Sequence, residues 1–172
     1  MVETAWGSAA TRKKSLIKYD ENGEKLIAAD KALHIETPIR DALSGYQRGK
    51  CFYCLNDISV DKNDDEFCEV DYYFPRGLQG HFKTDLSGTW NMILSCGECG
   101  RRIKNHADHI PNRKYLERLY KRNEFVVSSR RPLNEAVISQ TGKTPEDRHG
   151  FLYAFDKFAA ELLPNRWEAK SK

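Results

Sequence analysis

No apolar run in this 172-residue chain approaches the ~20 residues that a membrane-spanning helix needs, which excludes a helical membrane protein, and no membrane partner is expected. Residues 1–14 lack an apolar stretch ahead of a cleavage site, so they do not read as a secretory leader. Internal repeats and low-complexity segments are missing as well. Cysteines are few and odd in number, five in all, unlike the even set of a small disulfide-stapled scaffold. These absences together point to an intracellular, cytoplasmic protein in a reducing compartment. The length suits one domain, or one domain with an appended subdomain.

The net charge is only +3, which permits a polyanionic partner without requiring one. Its distribution is uneven. Ten Lys or Arg but only three acids fall between Arg101 and Arg131, so the rest of the chain is net acidic.

Periodicity and breakers divide the chain into an N-terminal arm (1–35), a central core (36–110) and a helical C-terminal extension (111–172) packed on that core. The arm is polar and weakly patterned, with a turn signal at Asn22-Gly23. Thr37-Pro38 offers a helix start, with Ile39, Leu43 and Tyr46 at helical spacing. Phe67 to Phe74 is aromatic and stops at Pro75, which predicts a strand. Arg76 to Gly88 reads as loop, and Trp90 to Leu94 as a short apolar segment. Tyr115, Leu116, Leu119 and Tyr120 mark one helix, and Thr144-Pro145-Glu146-Asp147 opens another that ends at Pro164.

Four cysteines form two C-x2-C pairs, Cys51/Cys54 and Cys96/Cys99. Each such turn, or knuckle, aims two thiolates at one point, and two knuckles complete a closed tetrahedral zinc site. A redox pair or two buried thiol pairs are the plainer alternatives. A zinc ion held by four protein ligands has no open position, so its expected role is structural. Cys68 shares a strand face with Val70 and reads as core.

Between and just after the knuckles stand Val70-Asp71-Tyr72-Tyr73-Phe74-Pro75-Arg76, then Trp90-Asn91-Met92-Ile93-Leu94, then Cys99-Gly100-Arg101-Arg102. In order and spacing, residues 45–105 resemble the HNH nuclease family in its zinc-knuckle form. The resemblance implies an α+β protein with a ββα-metal core that grips a divalent ion over a scissile phosphate. In that family a strand-end Asp-His supplies a metal ligand and the general base, an Asn orients the base, and the residue after the last cysteine binds the metal. Asp71 and Asn91 match. Tyr72 replaces the base and Gly100 replaces the last ligand, and a phenol with an ordinary pKa near ~10 is a poor base at neutral pH.

The expectation is therefore a nucleic-acid-binding protein with a degenerate catalytic site at Asp71, Tyr72 and Asn91. Family resemblance places it in bacterial DNA restriction or antiphage defence. Arg101, Arg102, Lys104, Arg118, Lys121 and Arg122 are the candidate phosphate contacts, with DNA or another nucleic acid as partner. In the alternative, His81, His106 or His109 replaces the lost base or ligand and the protein is an active endonuclease using Mg²⁺ or another divalent ion. A third reading is a zinc-stabilised protein-interaction module that shows Tyr72, Tyr73 and Phe74 as an aromatic patch to a protein partner in a larger complex.

Overall fold

The computed structural model describes residues 38–129 and 133–170. The N-terminal arm and its Asn22-Gly23 turn lie outside the described residues. The chain divides into two compact units, residues 1–39 and 40–172, and apart from residues 38 and 39 the described structure belongs to the second.

Mixed helices and small sheets make up this unit. Helix α1 spans 38–47, as the Pro38 start and the Leu43 and Tyr46 spacing predict. Its end is a left-handed turn at Arg48 and Gly49 (φ 55° and 65°), closed by a hydrogen bond from the Gly49 N–H to the Ser44 carbonyl. The first knuckle follows in a tight loop pinned by a backbone bridge between Lys50 and Asp57.

Strand β1 (Glu69–Tyr72) pairs antiparallel with β2 (Met92–Ser95), placing Asp71 opposite Ile93 and Val70 opposite Leu94. Regular pairing is shorter than the Phe67–Phe74 pattern suggests. The flanking residues keep extended partners of their own, Cys68 N–H to the Ser59 carbonyl and Tyr73 N–H to the Asn91 carbonyl. The intervening segment is not wholly loop. It holds a 3-10 turn at Arg76–His81, which buries Leu78, and the Gln79 amide ties it together through Phe82, Thr84 and Leu86. Straight after β2, Cys96 caps helix α2 (Gly97–Asn105), so the two strands and this helix form a β-β-α unit.

Strand β3 (Ile110–Pro111) leads into α3 (Lys114–Ser128), then α4 (Leu133–Thr141) and α5 (Pro145–Leu162). The sequence signature of α5 holds in full: Pro145 sits at the helix start and Thr144 and Asp147 form a reciprocal capping box. Trp90 is the centre of the core, fully buried among Phe74, Phe151 and Phe155. Strand β4 (Arg166–Trp167) then returns beside β3 in parallel and brings Trp167 onto the knuckle residue Tyr53, ring centroids 4.5 Å apart. Cys68 is fully buried, consistent with a packing residue.

Candidate metal centre and the carboxylate site beside it

The first knuckle is shaped by its loop. Cys51 N–H bonds to the Asn56 carbonyl at 2.8 Å, and Leu55, at φ 64°, closes a turn onto the Cys51 carbonyl. Arg118 of α3 clamps it from outside, donating to the carbonyls of Phe52 and, at 2.9 Å, Tyr53. The second knuckle is the cap and first turn of α2, and the Cys96 N–H points at Cys51 Sγ, 3.4 Å away. One sulfur from each of Cys51, Cys54, Cys96 and Cys99 thus converges, all within 4.8 Å of one another. Cys54 and Cys96 sulfurs are 3.7 Å apart, matching the edge of about 3.8 Å that a tetrahedron with ~2.3 Å metal–sulfur bonds must have.

Four thiols this close cannot all ionise without a cation. A hydrogen bond from Cys99 lowers Cys51 to about 4, and that same bond pushes Cys99 far up. Burial raises Cys54 to about 11. A divalent ion reverses this opposition by attracting every thiolate at once, so both the geometry and the donor chemistry suit a metal ion. Among the described residues no other group of three or more His, Cys, Asp or Glu is arranged to hold one.

A second polar site lies beside this centre, between β1 and α2. Asp71 is buried on β1, and its Oδ2 accepts a hydrogen bond from Ser95 at the end of β2. Burial raises its pKa, partly offset by that hydroxyl. Gly100 of α2 packs directly over it. A Cβ at Gly100 would stand 3.3 Å from Asp71 Oδ2, 3.2 Å from Ser95 Oγ and 3.0 Å from Glu69 Oε2. Glu69 in turn accepts a 2.6 Å ion pair from Lys104, one turn further along α2. The ammonium therefore sits at the mouth of a two-carboxylate site, and its hydrogen bond with Glu69 raises its own pKa.

The other sequence candidates are scattered. Tyr72 is half-buried beneath the Arg76 guanidinium, 5.3 Å from its ring centre. Asn91 is fully buried and committed to backbone: its carbonyl accepts from Phe74 N–H at 2.8 Å, and its amide donates to the Phe74 and Leu86 carbonyls at 3.0 and 2.8 Å. That arrangement staples the turn after β1. His81 is exposed at the end of its 3-10 turn. His106 and His109 neighbour each other after α2, ring centroids 4.9 Å apart, with His109 bonded to Asp108. None of the three joins Asp71 in a metal-ligating group among the described residues.

Two expectations need correction. Tyr73 and Phe74 are buried in the core, so the aromatic patch expected at residues 72–74 is not on the surface; the Asn91 staple turns both rings inward. Arg122 is also inside, only 6% exposed, with its Nη2 on the Trp90 and Met92 carbonyls. Arg118 is half-buried and engaged on the knuckle. Arg102 is half-buried and donates to the Glu168 carbonyl. Arg101, Lys104 and Lys121 remain exposed; Lys104 pairs with Glu69 and Lys121 with Glu117 at 3.5 Å.

No motif or periodicity in the sequence marks the strap that Arg166–Ala169 lay across the back of the knuckle. Arg166 makes a double hydrogen bond to buried Asp156, Glu168 binds Lys114, and Ala169 N–H donates to the Tyr115 hydroxyl. Set against protein-family models, curated proteins and solved structures, the chain matches none.

Proposed function

We propose that this is an HNH-like nucleic-acid-binding protein that keeps the structural zinc of that family and has exchanged its catalytic metal for a fixed ion pair. The observation supporting this reading is the site at Asp71. Asp71 and Gly100 lie 29 residues apart in sequence yet adjoin in space, which is where the resemblance calls for two ligands of one divalent ion. A glycine supplies no ligand, and Lys104 brings a single positive charge to Glu69 and Asp71. One ammonium balances carboxylates but cannot acidify a water or polarise a phosphate as a divalent ion does. Tyr72 and the backbone-committed Asn91 leave no base at the strand end. What remains is a zinc-braced β-β-α unit in which Arg101 is exposed on α2 and Lys104, beside Glu69, is exposed as well; these are the cations offered to phosphates.

The test combines cleavage with binding. Supercoiled plasmid incubated with Mg²⁺, Mn²⁺ or Ni²⁺ should stay intact. Short duplex DNA should bind with a shallow salt dependence, a log–log slope of about −2 to −3 for two or three exposed cations at about −0.9 each. Arg101→Ala should make that slope shallower by about one unit on every sequence tested. Robust nicking that Asp71→Ala abolishes would show an active endonuclease instead, and a slope unmoved by Arg101→Ala would remove nucleic acid as the ligand of this face.

A further inference from the structure

The residues of α3 that the sequence assigns to a duplex surface instead line a cleft. It lies between the end of α1, the first knuckle and α3 and has a volume of about 320 Å³, at the small end of the ~300–1,000 Å³ typical of ligand pockets. Five Lys or Arg side chains and three aromatic rings line it, and among the described residues no carboxylate does. At its base is Arg122, whose Nε and Nη1 are closed off from solvent and, among the described residues, have no hydrogen-bond partner. Its Nη2 rests on two backbone carbonyls. Desolvation with no opposing carboxylate lowers its pKa to about 9.

A buried cation without a counter-charge is costly, and an anion placed nearby offsets that cost through its field without touching the guanidinium. The means of direct contact are at the rim. Lys121 is 73% exposed on its side chain and only loosely paired with Glu117. Arg48 is exposed and held in the left-handed region, which non-glycine residues rarely adopt. Phe125 is 48% exposed, an unusual position for a large apolar ring; it meets Tyr46 in a T-shaped contact at 5.6 Å, and its exposed surface is available to another flat ring.

We propose that this cleft binds a phosphate ester carrying an aromatic base, the chemistry of a nucleotide, with the phosphate over Arg122 near Lys121 and the base against Phe125. Free nucleoside monophosphate and the phosphorylated end of a strand share that chemistry. The site goes beyond duplex binding by α2, and either can fail without the other.

Calorimetric titration of the full, zinc-loaded chain tests it, with AMP, adenosine, inorganic phosphate, and a trinucleotide with or without a 5′-phosphate as probes. AMP should bind at least about tenfold more tightly than adenosine or phosphate, because charge-assisted contact and ring stacking each contribute. Lys121→Ala and Phe125→Ala, both at exposed positions, should each weaken AMP about tenfold with melting temperature unchanged. A 5′-phosphorylated trinucleotide that outbinds AMP assigns the site to strand ends, and the reverse order assigns it to free nucleotide. No binding of AMP, equal affinity for AMP and inorganic phosphate, or indifference to both substitutions would overturn the proposal.

Discussion

Asn91 and Asp71 are both buried polar side chains that bear on stability. All three hydrogen bonds of the Asn91 amide go to backbone of the segment between β1 and β2, two at Phe74 and one at Leu86. Asn91→Ala therefore leaves the Phe74 N–H and two carbonyls buried without partners, and should cost roughly 3 kcal/mol or more. Urea unfolding measures it, and a loss under about 0.5 kcal/mol, the range of neutral surface changes, would show that the staple is dispensable. For Asp71 the sign is opposite. Burial raises its folded pKa above the ordinary 3.8, so its protonated form suits the folded state and its ionised form does not. That contribution is fully present below the unfolded pKa and is lost as pH rises through the folded value. Asp71→Asn should accordingly match the parent near pH 4 and exceed it in stability at pH 7. Unfolding curves for both proteins across that window check this, and a variant less stable than the parent at pH 7 would mean that the ionised carboxylate is needed.

At the scale of elements, α3 explains why some of the molecule was legible in the sequence and some was not. Tyr115, Leu119, Arg122 and Val126 recur at i, i+4, i+7 and i+11, and all four are buried. The spacing was present in the sequence, but a guanidinium on an apolar stripe reads as solvated surface until the backbone carbonyls that receive it are known. The knuckles and the Thr144 cap were legible because their geometry is local. Tyr73 and Phe74 were not, since which way they turn depends on Asn91, 17 residues away. The C-terminal strap was hidden for a similar reason. Trp167 and Arg166 follow the helix-ending Pro164 and carry no periodicity, and their partners Tyr53 and Asp156 are set by tertiary packing. Asp156 is 1% exposed and takes two of the three hydrogen bonds of Arg166, the third going to the Pro111 carbonyl, with Arg113 more distant at 3.8 Å. Arg166→Ala should strand that carboxylate and cost about 3 kcal/mol, seen as a lower urea midpoint. Arg113→Ala, at an exposed position, should cost far less. Equal effects would show that the two arginines share the charge.

For the whole molecule, the four cysteines bring a loop at residue 51 to a helix start at residue 96, so a metal ion held there would fasten the hairpin, α2 and, through Arg118, α3 into one body. Metal binding of this kind is folding free energy. Chelation, or Cys96→Ser, should abolish the cooperative thermal transition, and readdition of Zn²⁺ should restore it to the chelated parent alone. Persistence of a sharp transition in metal-free protein would place the stability elsewhere. In the proposed function one metal site is kept and the other has been replaced by the Lys104–Glu69 pair. That exchange is tested most directly by anomalous scattering from crystals of the zinc-loaded protein soaked in Mn²⁺. A single zinc peak among the four sulfurs, with no manganese beside Asp71, is the predicted result; a manganese peak bridging Asp71 to a histidine or to Glu69 with Lys104 displaced would contradict it.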